Sequence, residues 1–445
     1  MTSNNSGQYK DRLYDSEVSV GRIHYDGVRR TKPGALEAVS RQLFSSKTLG
    51  ELVLRSYALK NYMEGVGLFR KVDVSIEPDP LNYYGVDVVF SIDEPTRLKA
   101  ASSFYEHGNR EKAMANAGVC QNGLTTGVEL TSLSLTGRGD SVKASLCVGR
   151  ERTSLFDFQY MKPLLSQPGS SLGANIFRHF KPLPQCDGIS LESGVSLDLR
   201  QQLTPTVAYG AHFTNCWRFF DSRSLLFLIR EHAGHSVKVS FEHSLEYNSE
   251  DDAILPTTGV FGKISQEFAR FWGGVLFTKY RLDLKRHFRL PYGFFTSYGC
   301  SLVHVAPEPG KGLSFIDKTY LGGTQNLRGF GLNSVGSSAG NGLYLGGTGS
   351  CVLAAHLFRP LLDNFIYAHG FLCVGSLWQS PYSNPFRKAW EELRRGPRRS
   401  SIGLGVVIKL GNAARVEANY CWPLEYSLSD KAEKGLQVGF GTCFL

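Results

Sequence analysis

The stretch "YLGGTQNLRGFGLNSVG", from Tyr320 to Gly336, sets one cation, Arg328, among five glycines and no acid. Two chemistries fit that composition. A glycine-rich backbone cradles phosphate when a strand precedes it and a helix comes after. A glycine-rich loop can also fold tightly back on itself and carry a guanidinium to a buried carboxylate, where the planar fork binds. Beyond Gly336 come more Gly and Ser, then the alternating "CVLAAHLFRP" from Cys351. No helix pattern is present there, so the phosphate reading lacks its context. A long loop between two strands, residues 306–347, remains.

Other candidate chemistry is weaker. "GSSAG", Gly336–Gly340, spells the nucleophile elbow of a soluble hydrolase. That elbow needs a strand before the serine and a helix after it, and neither is readable here. His232 and His235 of "EHAGH" have metal-ligand spacing, yet they sit between two alternating segments and read as a hairpin turn. No GxxxxGK[ST] is present, which argues against nucleotide use. The basic "FRKAWEELRRGPRRS", Phe386–Ser400, reads as a solvated loop between strands, with a partner or head-group contact as the sharper alternative. The expectation is no catalytic residue, no metal ligand and no cofactor.

These residues must be carried by elements, and alternation dominates from about Thr125 onward. Val142, Ala144, Leu146 and Val148 share one face of "DSVKASLCVGR". Val237, Val239 and Phe241 oppose Lys238, Ser240 and Glu242. About sixteen such segments succeed one another to Leu445, each roughly 9–14 residues long. Tandem sandwiches would show a linker, and a propeller a fixed period. A closed barrel with lipid outside and a polar lumen accounts for one unbroken array. No run of about 18 apolar residues offers a spanning helix, which barrel strands do not need.

Residues 16–94 read differently. "PGALEAVSRQLF" and "KTLGELVLRSYALKNYMEGVGLF" have helical spacing, with Pro33 near the start of the first, and Thr48 as N-cap and Gly65 as stop of the second. "KVDVSIE" and "GVDVVFSID" alternate. The order β-α-α-β-β makes a small α+β domain. A disordered tail (1–15) is expected before it, a linker (95–122) after it, and the barrel over 123–445. Glycine is abundant at 48 residues, aromatics reach 12%, and the net charge is +9. That composition suits a β-rich chain with an acidic contact surface such as lipid head groups. The nine cysteines lack a CxxC and lie mostly in predicted strands, as reduced apolar side chains. The N-terminus shows neither a secretory signal nor a transit-peptide pattern.

At this point the opening stretch resembles a known one. Arg328, Gly329 and Phe330, coming after the pair Gly322 and Gly323, resemble the lumen-inserted loop of the outer-membrane barrel-assembly superfamily. "SVGRIHYDGVRRTKPGAL" through "VDVVFSIDEP" resembles a single POTRA domain. "LPTTGVFGKISQEFA" resembles the family's turn before a mid-barrel strand, and "GFGTCFL" its closing strand. One POTRA domain and the lack of a signal make the chain most similar to the core barrels of the mitochondrial sorting and assembly machinery.

The resemblance implies a non-enzymatic insertase in the mitochondrial outer membrane, its POTRA domain in the intermembrane space. Its partners would be β-barrel precursors, membrane lipid, chaperones that deliver clients and accessory subunits on the cytosolic side, with no nucleic acid. An exporter of the same superfamily is the alternative. His356 and Cys373 stand where the family often has an acid, Asp or Asn facing the arginine. Arg415, Glu417 and Asn419 share the polar face of "ARVEANYCWPL", so Glu417 is the expected partner of Arg328. A lateral gate is expected between a first strand near Leu124–Leu133, with Thr126, Val128 and Leu130, and a last strand with Gln437, Gly439, Gly441 and Phe444. Gln437, Gly439 and Phe444 fit the mitochondrial sorting pattern for a closing strand, whereas Thr442 occupies an apolar position.

Overall fold

The computed structural model describes residues 14–65, 69–80, 82, 84–94, 98–105, 119–120, 123–133, 135–149, 153–164, 169–270, 274–340, 342–362, 365–380, 384–411, 414–441 and 445. Of the tail expected over 1–15, residues 1–13 lie outside that description.

The N-terminal domain is a three-stranded sheet covered by two helices. Ser19–Asp26 pairs in parallel with Gly85–Asp93, which pairs antiparallel with Lys71–Pro78. The first helix, Pro33–Ser40, has proline at its start. The second, Leu49–Gly65, is capped by Thr48, whose Oγ1 accepts from Glu51 N at 3.3 Å. Alternation in the strands delivers Val72, Val88, Phe90 and Ile92 to one face. Leu36, Leu52, Leu59 and Met63 meet them from the helices in one core.

Beyond this domain, the described residues form a closed barrel of seventeen strand segments. Two of them, Leu98–Tyr105 and the two-residue Val119–Cys120, lie on the same edge of Gly123–Leu133, so the wall has sixteen strand positions. Along the strands whose side chains are described, one set points outward. Ile176, Val195, Leu197, Leu245, Leu284, Tyr298, Leu353 and Leu404 are large, apolar and exposed. Alternate positions point inward and are charged or small, as in the lumen pair Lys143–Glu129 at 2.8 Å. An apolar exterior around a polar interior is the surface of a barrel solvated by lipid.

The wall starts earlier than the alternation suggests. Leu98–Tyr105 lies inside the expected linker, and it pairs antiparallel with Gly123–Leu133 from Leu98 opposite Ser132 to Tyr105 opposite Thr125. "LKAASSFY" is built largely of small residues, so its period-2 signal is faint. Gly123–Leu133 is therefore the second strand. Its other edge pairs with Ser141–Val148.

Antiparallel succession fixes which loops share a rim. Lys32 N donates to Gly137 O at 2.8 Å, so the N-terminal domain contacts the turn after the second strand. Turns after even-numbered strands share that rim. Connections after odd-numbered strands, including 308–348, 379–398 and 426–434, lie at the opposite rim.

Candidate functional site

The connection between Phe295–Pro307 and Gly349–Leu362 does not stay at the rim. Leu321, Leu327, Phe330 and Val335 are buried against Val352, Ala354, Phe371, Cys373, Leu377 and Cys421, which line the lumen. Two glycines make this possible. Gly322 has φ +112°, and a Cβ there would sit 2.3 Å from Gly331 O. Gly329 has φ +83° and packs directly on Ser401. Side chains rarely adopt such φ values, so glycine sets the fold-back.

Arg328 lies at the deepest part of this loop, 1% exposed. Its Nη2 and Nε reach Glu417 Oε2 at 2.9 and 3.2 Å. Glu417 Oε1 is 2.9 Å from Arg415 Nη2, and Asn419 Nδ2 donates to Oε2 at 3.2 Å. One carboxylate thus joins two guanidiniums, which lowers the penalty of burying any of them. The Arg328 guanidinium also lies over the Phe371 ring at 5.3 Å. Cys373 Sγ is a distant acceptor at 3.9 Å. The guanidinium's third direction ends on the backbone: Arg328 Nη1 is 3.4 Å from Leu445 O.

The His356 ring bonds to other groups. It joins His369 at 2.9 Å and Leu445 O at 2.7 Å, while His369 meets Asn419 Oδ1 at 2.8 Å.

The loop's backbone is held by the end of the barrel. Gly329 N donates to Gln437 Oε1 at 2.8 Å, and Gln437 Nε2 donates to Phe330 O at 3.3 Å. Phe330 bridges Ala432, and Gly331 N donates to Lys431 O at 3.0 Å. Glu433 N donates to Gly329 O at 2.8 Å. The Arg-Gly-Phe segment therefore pairs with residues 431–433, which lead into the closing strand Gly435–Gly441. In that strand Gly439 lies opposite Glu417 and Gly441 opposite Arg415. Phe444 lies outside the described residues.

The other expected gate residues are elsewhere. Thr126, Val128 and Leu130 face Phe104, Ser102 and Ala100 on one edge, and Val148, Leu146 and Ala144 on the other. A strand paired on both edges is internal wall, so these three do not flank the seam. The closing strand's neighbours across the seam are Leu98–Tyr105 and Val119–Cys120.

Two further anchors are not readable from the sequence. Arg218, on Val207–Ser222, forms a two-pronged pair with Asp317 of the loop at 2.8 and 2.9 Å. Asp430 accepts from Gly336 N at 2.7 Å and from Arg399 Nε at 2.9 Å. An arginine on the polar face of an alternating strand is the available signal, but it does not name the partner across the lumen. The elbow spelling has no elbow: Ser338–Gly340 forms a small hairpin with Leu343–Tyr344, and Ser338 Oγ donates to Leu343 O. His232 lies edge-on to Phe315, whereas His235 stacks on Trp217.

The chain is similar to known proteins. A family model described as the Omp85 superfamily domain matches residues 135–444. The chain is 31% identical to the sorting and assembly machinery component 50 homolog of Mus musculus, across 97% of this chain and 92% of that protein. It is 30% identical to the Homo sapiens protein of the same description, with the same coverage. Among solved structures, BamA from Haemophilus ducreyi lacking POTRA domains 1–3 superposes with a TM-score of 0.76 at 16% identity, covering 95% of this chain and 84% of that one. CdiB from Acinetobacter baumannii superposes at 0.59 and 12% identity, covering 95% and 73%.

Proposed function

The chain belongs to the Omp85 superfamily and to its sorting and assembly machinery component 50 branch, and from that premise we propose an insertase that assembles β-barrel precursors into the mitochondrial outer membrane. The N-terminal domain, as a POTRA domain, faces the intermembrane space and receives extended precursors from chaperones there. Accessory subunits bind at the cytosolic rim. Clients leave laterally through the seam between Leu98–Tyr105 and Gly435–Gly441.

The physical problem is the strand edge. Each unpaired backbone group costs several kcal/mol in lipid, so a precursor must keep its edge paired while it inserts. A seam that opens supplies that pairing by β-augmentation. Folding of the client into lipid supplies the free energy, without nucleotide hydrolysis or any catalytic residue.

One observation carries this reading. Gln437 belongs to the closing strand and also holds Gly329 and Phe330 of the lumen loop. The loop braces the strand that must move, from inside the barrel. Gly435, Gly439 and Gly441 weaken this strand through backbone entropy and lost side-chain packing.

Site-specific crosslinking tests the route. Photoreactive residues placed one at a time along 98–105 and 435–441 should capture an arriving barrel precursor. Adducts only at lumen-facing positions far from the seam would point instead to an exporter that threads clients through its pore.

A further inference from the structure

The segment Phe386–Ser400 is not a solvated loop. Pro385–Arg395 is an α-helix, begun by a proline at its first turn and capped by Asn384, whose Oδ1 accepts from Phe386 N and Arg387 N. The helix is docked on the barrel's outer wall. Ala389 and Leu393 pack with Leu282, Leu302, Cys351 and Trp378. Along the same outward faces, Leu284, Tyr298 and Leu353 are exposed on the lipid-facing band. The helix therefore sits where that band ends, at the rim opposite the N-terminal domain.

Its apolar surface is only half covered. At 100° per residue, Ala389, Leu393, Phe386 and Trp390 form one arc of about 100°. The wall covers the first two. Phe386 and Trp390 are 63% and 67% exposed. Next around the helix come Arg394, Arg387, Glu391 and Arg395. Arg387 Nε and Glu391 pair at 3.0 Å, so three arginines and one glutamate leave that face with two surplus positive charges. An apolar arc that continues from a lipid-facing wall, with an aromatic pair at its edge and arginines beside it, matches a helix lying in a bilayer interface.

We propose that Pro385–Arg395 is an interfacial anchor: Phe386 and Trp390 enter the lipid at the level of the glycerol backbones, and Arg387, Arg394 and Arg395 bind anionic phospholipid head groups. The occupant is the bilayer itself, because the helix rests on the surface that lipid already wets. The anchor rests on the transmembrane reading of the barrel and not on the insertase mechanism. It fixes the height and tilt of the wall around Phe295–Pro307 and Gly349–Leu362, the strands that flank the lumen loop, and their neighbour Ile366–Trp378.

The test uses the full chain refolded into vesicles. Trp390 is one of five tryptophans, so its emission is the difference between wild type and Trp390→Phe. In vesicles containing anionic phospholipid, that difference should be quenched at least about twofold more by bromines near the glycerol end of the acyl chains than by bromines near their tips, as an interfacial depth requires. It should also be shielded from aqueous iodide. The combined variant R387Q, R394Q, R395Q should reduce this quenching to the level seen in purely zwitterionic vesicles. Trp390 emission open to iodide and blind to bromolipid would overturn the proposal. So would emission that becomes shielded, without bromolipid quenching, only when the protein is purified with its accessory subunits, because the face would then belong to a protein partner. Equal quenching in anionic and zwitterionic vesicles, unchanged by the triple variant, would overturn the head-group assignment.

Discussion

The guanidinium of Arg328 and the carboxylate of Glu417 meet 2.9 Å apart inside the lumen, both nearly fully buried, although they are 89 positions apart in sequence. Neither group is stable there alone. Removing one partner of a buried pair typically costs about 3–5 kcal/mol, because the other charge is stranded. Here Arg415 keeps part of the compensation for Glu417. Arg328→Ala should therefore lower barrel stability by roughly 2–4 kcal/mol. Arg328→Lys should recover only part of that loss, because an ammonium cannot serve Glu417, Leu445 O and the Phe371 face together. Heat-modifiable gel migration, followed against temperature, reads both variants. Wild-type behaviour of Arg328→Ala would rule out a bracing role for the pair.

Gln437 gives a finer test, since its two ends do different things. Its oxygen accepts from Gly329 N and its nitrogen donates to Phe330 O. Gln437→Glu keeps the acceptor and loses the donor. Gln437→Leu loses both and leaves two buried backbone groups unpaired, each at about 1–3 kcal/mol. Amide exchange at Gly329, Gly331 and Glu433 should accelerate in the order wild type, Gln437→Glu, Gln437→Leu. Equal exchange in all three would show that the loop is held without the closing strand.

A pH dependence is expected at the joint between the two domains. Burial alone would raise the Glu94 carboxyl. Hydrogen bonds from Thr31 Oγ1 and N, at 2.8 and 3.0 Å, and from the Arg30 backbone and side chain outweigh it and hold the carboxyl below its ordinary value. A depressed folded value means that the stabilisation is present above the ordinary carboxylate range, roughly pH 4, and is lost as pH falls through the lower folded value. The clamped residues lead directly to Lys32 N and its bond to Gly137 O on the barrel turn. Acidification should therefore loosen this contact, seen as faster exchange of the Thr31 and Lys32 amides. Glu94→Gln should abolish the pH dependence. An unchanged profile in that variant would assign the titration to another group.

Part of this structure is legible in the chain, and the physical reasons differ by region. Period-2 alternation marks the long strands because each has lipid on one side and a polar lumen on the other. It fails for Leu98–Tyr105, whose "KAASS" offers little contrast between faces, and so it sets the seam one strand too late. Glu417 stands out because Arg415, Glu417 and Asn419 share one face of a strand. Asp317 and Asp430 do not, because loop acids carry no periodicity and their arginines lie across the lumen or on another strand. Gln437 is legible only as a strand residue. Its grip on Gly329 is a consequence of closure, which brings the end of the chain against residues 108 positions earlier. The helix Pro385–Arg395 is hidden because its charge suggests a solvated loop, while only Ala389 and Leu393 meet the wall.

The position of the seam decides how a lock should be built. Cysteines at Thr126 and Gln437 would fail twice: Thr126 is on the second strand, and Gln437 is engaged with the loop. Pairs should instead join 98–105 to outward positions of the closing strand, Leu436 and Val438, both exposed on the lipid side. Ala100, Ser102 and Phe104 form one alternating set, and Ala101 and Ser103 the other, so both sets need scanning against each closing position. A disulfide forms readily only where the Cβ atoms approach about 3.5–4.5 Å, so the productive pair itself reports the register. An efficient crosslink should leave the wall, the Arg328–Glu417 pair and the lumen undisturbed, because all other strands keep their neighbours. An insertase locked in this way should bind precursors and fail to release them, and reduction should restore release. A pore that threads its clients would be indifferent to the lock. Full insertion activity with the seam quantitatively oxidised would therefore refute lateral release while leaving the barrel and its lumen loop as described.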